Sequence, residues 1–184
     1  MTTQQAFQVH TLDSAPEAAR PALTALEQRV GFIPNLAATM AGSAVLINGF
    51  GGLQDALRGS ALTGAEREVV GLTVSHENAC RYSMAAHTVF ARSQGATDEA
   101  VAALRSGTAP ADERLRALHE FTLAVLRERG HVPAARVEAL RAAGYTGEQL
   151  FEVIAQIGYT CIANWVANLS DPPLDQAFAA QAWS

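Results

Sequence analysis

A chain of 184 residues with 49% hydrophobic and 17% charged side chains suits one domain with a sizeable core, and the balance excludes wholesale disorder. The formal net charge of −5 comes from 13 basic and 18 acidic residues, so a phosphate-binding surface and a nucleic-acid partner are not expected. All 13 basic residues are arginine, and the absence of lysine rules out Schiff-base chemistry and a Walker-type phosphate loop.

No run of 18 or more apolar residues occurs, so no membrane partner is expected. The opening residues lack the basic start and apolar run of a secretory signal. Two cysteines, Cys80 and Cys161, do not make a disulfide scaffold. Free thiols in a cytoplasmic protein are the expectation.

The chain is rich in Ala, Leu, Glu and Arg, and shows no alternating β-branched run, so every element is expected to be helical. The first helix spans 15–30 and ends at Gly31; GFIPN over 31–35 is a turn. A second helix is expected over 35–58, weakened by Gly49, Gly51 and Gly52. Thr63 and Glu66 stand at capping-box spacing and open a helix running to about Glu77. Asn78 is expected to cap the next, from Ala79 to about Gln94, stopped by Gly95.

Thr97 caps a short helix ending near Gly107, and Ala109–Pro110 is a linker. Helices follow over 112–129 and 133–143, ended by Gly130 and Gly144. Thr146 and Gln149 form a second capping box, opening a long helix from Gly147 to about Leu169. That helix is apolar around most of its circumference, which suggests burial on several sides and a homo-oligomer. The reading is one all-α domain of about eight helices over 1–184. It has an N-terminal arm over about 1–30, a core motif over 63–95 and a C-terminal half over about 110–176. Both halves run helix, short helix, long helix, which suggests a weak internal duplication.

Chemistry concentrates at Glu68, Cys80, Tyr82, Ser83 and His87. Cys80, Ser83 and His87 are three and four apart, on one face of a helix. With Asn78 as cap, Cys80 falls in the first turn, where free N–H groups and the helix dipole favour a thiolate. His87 can move a proton. Glu68, twelve residues before Cys80, reaches the same site if its helix and the next pack as a hairpin. No cofactor motif stands out and no metal site is expected: His76 and Glu77 lack a third ligand at helical spacing and read as a solvated helix end. His119–Glu120 reads as a surface or intersubunit pair, Phe151 and Trp165 as core or interface residues, and Cys161 as buried and inert.

The segment EVVGLTVSHENACRYSMAAH, from Glu68 to His87, resembles the core of the carboxymuconolactone decarboxylase family and, within it, the alkylhydroperoxidase D branch. GFIPNLAATMAGSAVLINGF and IAQIGYTCIANWVANLSDPPLD resemble the opening and closing segments of the peroxidase-related members, so the likeness covers roughly 28–176. It implies an alkylhydroperoxidase D-like helical bundle. The branch pattern places a second cysteine where Ser83 stands and, in alkylhydroperoxidase D proper, a histidine where Tyr82 stands. In the two-cysteine members the second cysteine attacks peroxide and the first closes a disulfide, with Glu and His relaying the proton.

The resemblance thus implies an alkylhydroperoxidase-like thiol peroxidase with Cys80 as its only site thiol. Glu68 and His87 would be the relay, Ser83 and Tyr82 hydrogen-bond donors, and an external thiol or dithiol the reductant. Two alternatives stand beside it. One is a decarboxylase-like lyase or isomerase in which Glu68 and His87 do acid–base work on a small carboxylated substrate held by Arg67 or Arg81. The other is a degenerate oligomeric binding protein.

Overall fold

A computed structural model describes residues 7–184; the first six residues, which carry the start of the segment read above as lacking a secretory signal, lie outside the described residues. Nine α-helices and two short 3-10 turns follow one another, with no strand among the described residues. They are α1 (Arg20–Val30), α2 (Asn35–Met40), α3 (Ala44–Leu57), α4 (Gly64–Glu77), α5 (Arg81–Ser93), α6 (Asp98–Arg105), α7 (Glu113–Arg127), α8 (Ala134–Ala142) and α9 (Gly147–Ser170). The 3-10 turns are Glu17–Ala19 and Gln176–Gln181.

Both capping boxes form. Thr63 N–H donates to Glu66 Oε2 at 2.8 Å, and Glu66 N–H donates back to Thr63 Oγ1 at 3.2 Å. Thr146 and Gln149 repeat the arrangement at 2.9 and 3.2 Å. Each box meets two of the four unpaired N–H groups at a helix start. The two longest-range organisers of the fold, α4 and α9, both begin this way.

Three boundaries differ from the expectation. The helix expected over 35–58 is two helices, because the chain turns at Ala41–Gly42–Ser43 and Ser43 Oγ caps α3 by accepting from Leu46 N–H at 3.3 Å. The first helix opens as a 3-10 turn, and its α-helical part starts at Arg20. Asn78 does not cap α5. It is the C-cap of α4; Ala79 then adopts a left-handed conformation (φ 48°), and Cys80 is the N-cap of α5. The Asn78 amide is used elsewhere: it donates to Asn164 Oδ1 of α9 at 3.0 Å.

The buried residues form two apolar clusters. One gathers Leu23 and Leu26 of α1, Met40 of α2, Ile47 and Phe50 of α3, Ala85 of α5, Ala163 of α9 and Phe178 of the C-terminal segment. The other gathers Val70 and Leu72 of α4, Met84 of α5, Leu104 of α6, Leu118 of α7, Leu140 of α8 and Val153 of α9. Only α5 and α9 supply the buried set of both, so they divide the interior.

By length and composition alone α9 is apolar enough to cross a bilayer. In the fold its buried Asn164 receives Asn78 and donates to Ser75 Oγ at 3.3 Å, while Asn168 donates to the Asn78 carbonyl at 2.8 Å. These bonds tie α9 to the α4–α5 junction. Its opposite face is open: Phe151 is 79% exposed, Trp165 63% and Leu169 64%, so Phe151 and Trp165 are not core residues of this chain.

Candidate active site

A cavity of about 310 Å³ opens within the first cluster, walled by α1, α2, α3, α4, α5, α9 and the C-terminal segment. Most of its lining is apolar, including Leu26, Phe50, Ala86, Phe90 and Phe178. Glu68, Tyr82, Ser83 and His87 also reach it.

The polar centre is a pair. α4 and α5 pack as a hairpin, and this brings Glu68 Oε2 to 2.6 Å from His87 Nδ1. An ionised carboxylate only accepts, so Nδ1 carries the proton that donates to Glu68, and in the neutral ring Nε2 then holds the lone pair. Nε2 has no hydrogen-bond partner among the described residues. The side chains are 15% and 10% exposed, so the pair meets solvent through the cavity. The carboxylate thus fixes the orientation of the imidazole.

The backbone of α4 makes room for it. A Cβ at Gly71 would lie 2.6 Å from His87 Nδ1, well inside van der Waals contact. Gly71 therefore lets the imidazole lie flat against α4, one turn from Glu68.

Ser83 precedes His87 by one helical turn, is almost fully buried, and lines the cavity. Its hydroxyl has no protein partner among the described residues, in contrast to Thr88, which bonds the Met84 carbonyl at 2.7 Å. Cys80 is separate. It has no solvent exposure, is absent from the cavity lining, and packs in the apolar cluster behind the wall. The structure brings Glu68, Ser83, His87 and Tyr82 together at the cavity and leaves the Cys80 thiol outside it.

Tyr82 has a structural engagement. Its hydroxyl donates to Asp175 Oδ2 and accepts from Leu36 N–H at 3.3 Å. Burial, with the Asp175 carboxylate as the next cause, pushes the phenol pKa well above its usual value, so the proton stays on Tyr82. Asp175 also accepts from Asn35 N–H at 3.1 Å, which pins the C-terminal segment to the start of α2. Phe178 is held over the cavity and meets Phe32, Tyr82 and Phe90 edge to face.

The two arginines offered for a carboxylate are elsewhere. Arg81 is 70% exposed and pairs with Asp171, and Arg67 donates to the Leu62 carbonyl at 2.7 Å. Arg29 is the arginine at the cavity, together with Gln54 and Tyr159. No spacing rule links these three, which come from α1, α3 and α9, so sequence reasoning had no signal for them. His119 is not a surface group. It is buried and bonds Thr73 Oγ1 at 2.9 Å, while Glu120 pairs with Arg136. Burial raises the pKa of Cys161, which accepts a weak bond from Asn78. Glu77 pairs with Arg127, and no group of three or more potential metal ligands occurs among the described residues.

These features define an all-helical protein of the alkylhydroperoxidase D-like fold, with a carboxylate–histidine pair in an apolar cavity. Residues 44–119 match the model of the carboxymuconolactone decarboxylase family. Among solved structures it is similar to the alkylhydroperoxidase D core of a peroxidase-related protein from Ralstonia eutropha. The two are 27% identical, with a TM-score of 0.84, over 94% of this chain and 93% of that one. A peroxidase-related protein from Silicibacter is 22% identical, with a TM-score of 0.77 over 91% and 90% of the two chains. The debrominase Bmp8 is 21% identical, with a TM-score of 0.74 over 90% of each chain, and an alanine variant of it has been seen with 2,3,4-tribromopyrrole. No curated protein matches the chain in sequence.

Proposed function

We propose that this chain is an acid–base enzyme of its family, in which His87, oriented by Glu68, moves a proton on a small, largely apolar substrate held in the cavity. The observation that carries this is the site's division: the Glu68–His87 pair and the Ser83 hydroxyl reach the cavity, and the thiol does not. His87 Nε2 takes the proton and later returns it. The positive charge that builds on the ring is balanced by Glu68 at 2.6 Å. Ser83 offers a hydroxyl one turn away, able to donate to the substrate or hold a water. The debrominase of the same fold and its tribromopyrrole complex support a small, flat ligand for such a cavity.

The experiment is turnover of a panel of small lactones and keto acids, followed by hydrogen–deuterium exchange at carbon. His87→Ala is expected to slow the reaction about 10²–10⁴-fold, the usual contribution of a general base. Cys80→Ser is expected to keep the wild-type rate. Full activity in His87→Ala would overturn the reading.

A second reading is a one-thiol peroxidase, favoured by the peroxidase-related protein to which the chain is 27% identical. Cys80 would be oxidised to sulfenic acid and reduced by an external thiol. A disulfide with position 83 is excluded because serine has no sulfur to pair. Peroxide must also reach a sulfur with no exposed surface, so the packing around Cys80 has to open. Trapping of sulfenic acid on Cys80 at a rate above that of a denatured control would establish this reading; equal labelling of wild type and Cys80→Ser would dismiss it.

A further inference from the structure

One hydroxyl at the cavity is prepared by a chain of hydrogen bonds that the Glu68–His87 chemistry does not use. It starts at Asp55, whose Oδ1 accepts from Arg29 Nη2 at 2.9 Å. Arg29 Nη1 donates to Gln54 Oε1 at 2.6 Å. A guanidinium carries donors only, so this bond fixes which end of the Gln54 amide faces Arg29. The other end, Nε2, must then donate, and it does so to Tyr159 Oη at 2.9 Å.

From Arg29 onward, each donor points towards Tyr159. Tyr159 Oη is therefore an acceptor towards Gln54, and its own proton is left over. No acceptor for that proton exists among the described residues. Tyr159 and Gln54 both line the cavity that Glu68 and His87 enter. The ring is held by stacking on Phe50, with centroids 4.3 Å apart and planes 13° from parallel. Burial, followed by the negative charge of Glu68, pushes the Tyr159 pKa above its usual value, so the phenol keeps its proton.

We propose that Tyr159 is the ligand-orienting hydrogen-bond donor of this cavity, and that its ligand is a small, flat, apolar molecule carrying one carbonyl oxygen. An ammonium or other donor-only head group has no use for Tyr159. A pure hydrocarbon leaves its proton unpaired in an apolar wall, which is unfavourable. A carbonyl oxygen meets the proton and lets the apolar remainder fill the lining around Phe50, Phe90 and Phe178. The inference rests on the acid–base reading above and adds an electrophile to it. When His87 Nε2 removes a proton from the carbon next to the carbonyl, the C–H electron pair becomes the enolate double bond. The carbonyl π pair moves to oxygen, where Tyr159 O–H stabilises it. Return of the proton to carbon closes the cycle with no oxidant or reductant.

The test compares acetophenone with its oxygen-free isostere α-methylstyrene, measuring both dissociation constants by calorimetry on wild type and Tyr159→Phe. The ratio of the two constants within one protein cancels any loss of folded material in the variant. Wild type is expected to prefer acetophenone about five- to ten-fold, the worth of about one hydrogen bond. Tyr159→Phe, which keeps the stack on Phe50, is expected to bring the ratio close to one. A wild type that binds neither probe or prefers neither, or a Tyr159→Phe variant that keeps the preference, overturns the inference. Exchange of the acetophenone methyl hydrogens in heavy water is recorded in the same samples. A preserved binding preference with no exchange above buffer supports the Tyr159 assignment while overturning the proton-transfer reading.

Discussion

Gly71 and Ser83 show how single side chains set the chemistry of this site. Glycine in mid-helix costs about 1 kcal/mol relative to alanine, yet α4 keeps it at Gly71 because the imidazole of His87 occupies the space a methyl would need. Gly71→Ala gains that propensity and incurs about 1–3 kcal/mol of overpacking. The expected result is a net loss of up to about 2 kcal/mol, seen by denaturant unfolding, with a much larger fall in turnover as His87 leaves Glu68. Ser83 stands where the family resemblance implies a second cysteine. Ser83→Cys would restore two thiols at the CxxC spacing. The expected outcome is a Cys80-linked disulfide under peroxide, read as a mass loss of about 2 Da, and dithiol-dependent peroxide turnover. Absence of the disulfide would show that Cys80 stays walled off even with a partner at the right spacing.

The α4–α5 junction shows why element boundaries resist sequence reasoning. Asn78 is a good N-cap by type, and a helix does start three residues later, yet its amide is drawn to Asn164 of α9. The chain makes the turn with Ala79 in the left-handed region, a conformation that costs a non-glycine residue about 1–2 kcal/mol. Alanine gives no signal for such a turn. Ala79→Gly is expected to stabilise the fold by up to about 1 kcal/mol, after the entropy glycine adds to the unfolded chain. A higher midpoint at an unchanged denaturant slope is the measurement. The two capping boxes were legible because all their parts lie within four residues and answer to local geometry alone. The break at Ala41–Ser43 was harder, since a Ser cap inside an apolar run competes with strong helix formers on both sides.

At the scale of the whole molecule, titrating groups shifted by burial or pairing make stability depend on pH. Burial lowers the pKa of His119 below its usual 6.5, so the unfolded chain binds a proton that the fold resists. Stability from this group is fully present above about pH 6.5 and is lost as the pH falls below it towards the folded value. Glu77, held below its usual 4.5 chiefly by its hydrogen bond from Arg127, adds a second loss that begins only below pH 4.5. The thermal midpoint is expected to fall between pH 7 and 5, and His119→Gln to flatten that limb while leaving the more acidic one. An unchanged slope in the variant would remove His119 from the account.

The sequence by itself determined the helical class, the punctuation by glycine, proline and capping pairs, and the stretch from Glu68 to His87 that carries the family likeness. Those are local properties or fixed spacings, and they survive without knowledge of the fold. Tertiary structure decided which of its side chains meet. Packing α4 on α5 closed Glu68 onto His87, and the same packing turned Ser83 towards the cavity and Cys80 away from it. Arg29, Gln54 and Tyr159 come from three helices up to 130 residues apart, and only the packing of α3 against both α1 and α9 makes them a directed relay. Hydrogen-bond direction and access to a cavity are properties of neighbours in space, and a single chain read in order does not contain them.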